Sequence, residues 1–235
     1  MTEPRRFFFV HLQKTAGTAL WRRLQLQFRP EAVYPGPGDG TPPESVVSVP
    51  HLVERWRQRR EEIRIVTGHF PLCTVTLLDA PFVTMTVLRE PVDRTLSYLR
   101  HHRDSTPEDL HRSLEEIYDD PVRFGLLHNH MVKMLSLSTE EMTDGVLTPV
   151  DFDGPRLERA RAGLDGVDVV GFQEDFDAFC DELAERFGWE LGAPIFMNRS
   201  TPIDPSEVSA EFRARIARDN ALDRELYDYA RATRA

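Results

Sequence analysis

Apolar residues fall in short runs separated by longer amphipathic stretches. Phe7 to Leu12 is such a run, with the length and content of a strand buried on both faces. A small, polar stretch follows from Gln13 to Thr18. From Ala19 to Phe28 the residues Leu20, Trp21, Leu24 and Phe28 then recur at helical spacing. The pattern predicts strand, tight loop and helix. Ile63 to Thr67 and Phe82 to Leu88 predict two more buried strands, the first running into Gly68-His69-Phe70 and the second closed by Arg89. Val167 to Phe172 predicts a fourth.

Helical spacing fills the rest. His51 to Glu62 predicts a charged helix. Another starts at Pro91, where proline suits a first helical residue, and continues through Val92, Leu96 and Leu99, with Glu90 and Arg94 spaced to pair one turn apart. Helices are expected over 107–118, 122–135, 155–164 and 174–187, and one or two more over 205–231. Tyr34 to Pro50, with Pro35-Gly36-Pro37-Gly38 at its centre, predicts a long surface loop.

Strands alternating with helices indicate an α/β, three-layer fold with a central, mostly parallel sheet flanked by helices. The 235 residues suit one domain spanning 1–235. In such sheets ligands bind beyond the carboxyl ends of the strands. Three segments fall there: the Lys14 loop, His69 and Arg89.

Charge narrows the partners. A net charge of −10 weighs against nucleic acid and against a long polyanionic acceptor. Of the 29 basic residues only Lys14 and Lys133 are lysine. A compact ammonium is not interchangeable with a guanidinium fork, so both positions draw attention. Cys73 and Cys180 have no metal-ligand spacing and make no disulfide framework. The apolar run after Met1 is too short for a signal peptide, and no stretch has the length of a membrane span. A cytoplasmic, reduced protein is expected.

The loop Lys14-Thr15-Ala16-Gly17-Thr18 joins a strand to a helix, a place where backbone N–H groups bind anions. Thr15 and Thr18 add hydroxyls and Lys14 a mobile charge, which suits a terminal phosphate or phosphosulfate. It is not a Walker A loop, because Gly-Lys-Ser/Thr in that order is absent; an ordinary capped turn is the plainer reading. Arg89 presents a fork suited to phosphate, with Ser97 on the following helix. Taken alone, Arg89 also fits a surface salt bridge and Ser97 a solvated serine.

Together these residues resemble the sulfotransferases that use 3′-phosphoadenosine 5′-phosphosulfate (PAPS), above all the heparan 2-O-sulfotransferase type and its bacterial cousins. Lys14 to Thr18 is similar to their 5′-phosphosulfate loop, and Arg89 through Ser97 to their 3′-phosphate motif. Gly68-His69-Phe70 resembles the segment carrying their general-base histidine. Asn129 to Leu135, with Lys133, Asn198-Arg199-Ser200, and the stretch holding Asn220, Asp223, Leu226 and Tyr227 resemble further family segments, and the chain's three asparagines all lie in them. The sequence departs at Gln13, where the family often has proline, and at Ala19, where it often has a hydroxyl.

The resemblance implies a P-loop-type fold and transfer of a sulfuryl group from PAPS to an acceptor hydroxyl, releasing 3′-phosphoadenosine 5′-phosphate (PAP), with no metal required. Lys14 would stabilise the leaving phosphate and His69 would act as base. Thr15, Ala16, Gly17, Thr18, Ala19, Arg89, Ser97 and Arg199 would join Lys14 in holding the cofactor. The acceptor would be a carbohydrate or a small natural product, with contacts from the 34–50 loop and the helices over 107–135. Two other readings stay open: a P-loop-type kinase or phosphotransferase, with Asp79 a faint candidate to hold magnesium, and a non-catalytic nucleotide-binding regulator.

Overall fold

The computed structural model describes residues 5–192 and 208–234. In chain order its strands are β1 (Phe7–Val10), β2 (Val33–Tyr34), β3 (Ile65–Gly68), β4 (Val83–Leu88) and β5 (Val169–Phe172). Its helices are α1 (Gly17–Gln27), α2 (Glu44–Val47), α3 (Val49–Arg59), α4 (Thr74–Leu77), α5 (Pro91–Ser105), α6 (Leu114–Tyr118), α7 (Pro121–Leu127), α8 (His130–Ser136), α9 (Gly154–Asp165), α10 (Phe176–Phe187), α11 (Ala210–Asp219) and α12 (Ala221–Arg234).

The strands form one five-stranded sheet in the order β2-β3-β1-β4-β5, and every pairing is parallel. Successive side chains of a strand point to opposite faces, and β1 shows what that does here. Phe8 and Val10 enter the core on one face, where α3, α8, α9 and α12 supply Leu52, Met131, Leu157 and Leu226. Phe7 and Phe9 enter the core on the other face, against Leu20 and Leu24 of α1 and Phe179 and Leu183 of α10. A strand apolar at every position therefore lies at the centre of a helix–sheet–helix sandwich. A third apolar cluster packs α5 against α6 and α11 through Leu96, Leu99, Tyr118 and Phe212.

Several sequence expectations change in detail. The 34–50 stretch is not all loop: Tyr34 is fully buried in the short edge strand β2, and Glu44–Val47 is a helical turn. The helix expected over 122–135 divides into α7 and α8, because Asn129 between them takes a left-handed backbone (φ 43°). The stretch 107–118 holds only a 3-10 turn and the short α6.

Glu90 and Arg94 do not pair. Glu90 caps α5 by accepting the Asp93 N–H at 2.7 Å and meets Arg224 at 2.6 Å. Arg94 is fully buried; it donates to the Leu127 carbonyl at 2.7 Å and lies 4.0 Å from the Asp223 carboxylate.

Asp223 anchors a buried polar knot. Its carboxylate accepts the backbone N–H groups of Met131 and Val132 at 3.1 and 2.8 Å. Asn220 accepts the Asn129 N–H at 2.9 Å, and Asn129 accepts the Asp223 N–H at 3.0 Å. Buried polar groups need such partners, and the knot fixes α12 to the start of α8. Lys133, in a stretch that resembled a family segment, is buried here: its ammonium donates to the carbonyls of Gly125 and Val146 at 2.8 and 3.3 Å, and burial pushes its pKa down to about 8. Both cysteines are free thiols, Cys180 buried and Cys73 partly so. Among the described residues no helix is long and apolar enough to cross a membrane.

Candidate active site

The register sets the site. Val10, at the carboxyl end of β1, lies beside Gly68 of β3 and Thr86 of β4. The segments that follow these strands therefore emerge side by side. They carry Lys14, His69 and Arg89, and the three line one cleft of about 280 Å³ together with Gln13, Ala16, Gly17, Thr18, Ala19 and Ser97. Tyr98, His101 and Gln173 complete the wall. Gln173 follows β5, so a fourth strand end contributes.

The loop after β1 owes its shape to two left-handed residues, Lys14 and Ala16, each at φ 67°. Helix α1 then begins at Gly17 with no side-chain cap, so its first N–H groups face the cleft, a favourable setting for an anion. Gly17 is required by close approach: a Cβ there would lie 1.8 Å from the His11 ring. Thr15 does not donate into the cleft. It is fully buried, and its hydroxyl bonds the Leu12 carbonyl at 2.9 Å, pinning the loop from behind. Behind Gln13, the buried His130 accepts that residue's N–H on Nε2 at 3.2 Å. Burial holds His130 well below the usual histidine range, so it stays neutral and keeps that lone pair.

Lys14 and Arg89 form the positive end. Arg89 donates to the Lys14 carbonyl at 3.0 Å, while its Nε is buried with no partner among the described residues. Burial lowers the pKa of both; Arg89 adds to the fall at Lys14, while the carboxylates of Asp93, Glu174 and Glu90 partly oppose it at Arg89. Among the described residues neither side chain is held in an ion pair. Two neighbouring cations, neither held in an ion pair among the described residues, mark a place for a multivalent anion.

His69 faces them. Gly68 before it has φ 147°, and a Cβ there would strike the Phe70 ring at 2.3 Å, so only glycine carries the chain off β3 along this path. The His69 N–H bonds the Val46 carbonyl at 2.7 Å, and Nδ1 lies 2.8 Å from the His11 carbonyl. A carbonyl only accepts, so Nδ1 carries the proton and Nε2 keeps its lone pair. Burial first, with Lys14 adding to it, lowers the His69 pKa below the ordinary value. His69 is a neutral imidazole of fixed tautomer, able to take a proton. The His11 and His69 rings sit 4.4 Å apart.

Comparison of the whole chain finds similarity to named sulfotransferases. The chain is 29% identical over 272 residues to heparan-sulfate 6-O-sulfotransferase 1 of Homo sapiens, covering 95% of this chain and 64% of the relative. It is 26% identical over 276 residues to heparan-sulfate 6-O-sulfotransferase 2 of Gallus gallus, covering 95% of this chain and 65% of that protein. The crystal structure of a sulfotransferase from Alicyclobacillus acidocaldarius superposes with a TM-score of 0.50 at 17% identity, over 95% of this chain and 96% of that one.

The chain is similar to these sulfotransferases.

No family model matches it, and it spans about two thirds of the length of its curated relatives. These relatives are named for 6-O rather than 2-O transfer, while the sulfotransferase fold stands as expected. Lys14, Ala16, Gly17, Thr18, Ala19, His69, Arg89 and Ser97 come together in the cleft, and Thr15 braces it. Arg199 lies outside the described residues. Ala19 presents a methyl group where a hydroxyl was expected from the family pattern. Sequence reading did not single out Tyr98, His101 or Gln173 as site residues. The usable signal for His101 was its place one helical turn beyond Ser97; for Gln173 it was the end of the last strand.

Proposed function

We propose that this protein transfers a sulfuryl group from PAPS to a hydroxyl of a carbohydrate or a small natural product. The carrying observation is the pairing of two ion-pair-free cations, Lys14 and Arg89, with a neutral imidazole, His69, in one cleft. The orphaned Arg89 Nε and the uncapped start of α1 fit the two anionic ends of the nucleotide. The relatives are named for heparan sulfate, which supports a hydroxyl of a carbohydrate as one acceptor class.

PAPS would supply the sulfuryl group already joined to a phosphate leaving group. The loop from Lys14 to Ala19 holds the 5′ end, and Arg89 with Ser97 holds the 3′-phosphate. The Lys14 ammonium offsets negative charge on the departing phosphate oxygen, where a preorganised cation is most effective. His69 accepts the acceptor's proton on Nε2, while the His11 carbonyl steadies the resulting imidazolium through Nδ1.

The test is calorimetric titration with PAP beside ADP, without metal, on the wild type and on His69→Ala. Preference for PAP, with His69→Ala binding PAP as well as wild type but losing about 10²–10⁴-fold in turnover, supports the assignment. Equal binding of ADP, or turnover that requires magnesium and ATP, replaces it with a kinase-like reading.

A further inference from the structure

A second cavity opens on the other side of His69. It has a volume of about 590 Å³ and shares His11, Thr18 and His69 with the first, so the imidazole stands in the wall between them. That volume lies within the roughly 300–1,000 Å³ of small-molecule sites. One side is helix α1, through Trp21 and Gln25; the other is the proline-rich stretch after β2, through Pro35, Pro37 and Pro42.

The chemistry of this wall is specific. Among the described residues none of its side chains is lysine or arginine. Two arginines of helix α3, Arg55 and Arg59, both close on Asp39, whose carboxylate is fully buried. Such pairing leaves them little charge to offer a ligand. Trp21, Val33, Val46 and the prolines make the surface largely apolar. Ser45 adds one polar element, a buried hydroxyl with no partner among the described residues. A polysulfated chain needs a cationic groove, and this cavity has none, in a protein of net charge −10.

We infer that this cavity is the acceptor site and that it takes a small, uncharged alcohol or phenol with an apolar body, oriented by a hydrogen bond to Ser45. The inference rests on the sulfotransferase reading above. The acceptor oxygen forms a bond to sulfur as the bond from sulfur to the 5′-phosphate oxygen breaks. The hydroxyl proton goes to His69 Nε2, and PAP leaves with the electron pair of the broken bond. The products are the sulfate ester, PAP and one proton, so the step balances without a further reactant.

The test uses the full chain with saturating PAPS, and 2-naphthol, a hydroxysteroid and a heparan sulfate oligosaccharide as acceptors. Product is read by mass spectrometry, and 2-naphthol binding to the enzyme–PAP complex by calorimetry. Transfer to a neutral probe, with Trp21→Ala raising its KM tenfold or more while PAP affinity stays within twofold, is the expected result. Ser45→Ala provides a second, smaller change, expected to raise KM several-fold. Transfer to the oligosaccharide alone, or failure of 2-naphthol to bind the enzyme–PAP complex, overturns the inference. Failure of PAP itself to bind is a different outcome, since it removes the sulfotransferase reading on which the inference stands.

Discussion

Replacing Arg89 with alanine separates two roles that the structure gives this side chain. One is internal: Nη1 donates to the Lys14 carbonyl at 3.0 Å and holds the loop after β1. The other belongs to the cleft that Arg89 lines, where its buried Nε has no partner among the described residues. A hydrogen bond involving a charged group is worth about 1.5–3 kcal/mol. Losing the internal bond slackens the loop and weakens every adenosine 5′-phosphate by about that much. Losing the cleft contact removes a similar amount again, and only from ligands with a 3′-phosphate. With tenfold in affinity for each 1.4 kcal/mol, the preference for PAP over ADP should fall about 10- to 150-fold in Arg89→Ala. Calorimetry with both nucleotides on both proteins reads this ratio directly. Arg89→Lys, which restores charge without the planar fork, should recover only part of it. If PAP and ADP lose affinity equally, Arg89 is a loop brace and does not read the 3′-phosphate.

Three further outcomes are expected. The acid limb of kcat/KM should fall below pH 6.5, because burial lowers the His69 pKa and the base stays neutral further into acid; the alkaline limb should precede pH 10.5, since Lys14 is lowered too and must stay charged. An acid limb at or above 6.5 would contradict the environment assigned to His69. Gly17→Ala should lower PAP affinity at least tenfold, because the new Cβ meets the His11 ring at 1.8 Å and something in the loop must shift; unchanged affinity in titration would show that His11 yields freely. Asp223→Ala should cost about 3–5 kcal/mol in denaturant unfolding, since it strands the buried Arg94 and two backbone N–H groups; a loss under about 1 kcal/mol would argue against the knot.

The sheet was legible because its strands are short apolar runs, and the layer assignment follows from period two alone: Phe8 to one core, Phe9 to the other. The three site segments were legible because strand ends in a parallel sheet converge. What stayed hidden depends on contacts far apart in sequence. Nothing near Thr15 tells that its hydroxyl turns back to Leu12. Glu90 and Arg94 sit at ideal spacing, yet a longer-range partner wins for each, Arg224 and the Leu127 carbonyl. Val33–Tyr34 is too short for periodicity to register, and only its pairing with β3 makes it a strand. The proton position on His69 follows from one carbonyl contributed 58 residues away.

The polar knot around Asp223 also orders events during synthesis. The loop that begins at Gln13 is backed by His130, and the start of α8 that carries His130 is held by Asn220 and Asp223. In chain order His130 follows Gln13 by 117 residues, and Asp223 follows Met131 by a further 92, so the loop is made before its brace and the brace before its pins. Until then α8 lacks the acceptors for its first N–H groups, and the anion loop has nothing firm behind it. The loop would thus gain its full backing only after the segment carrying Asn220 and Asp223 has been made.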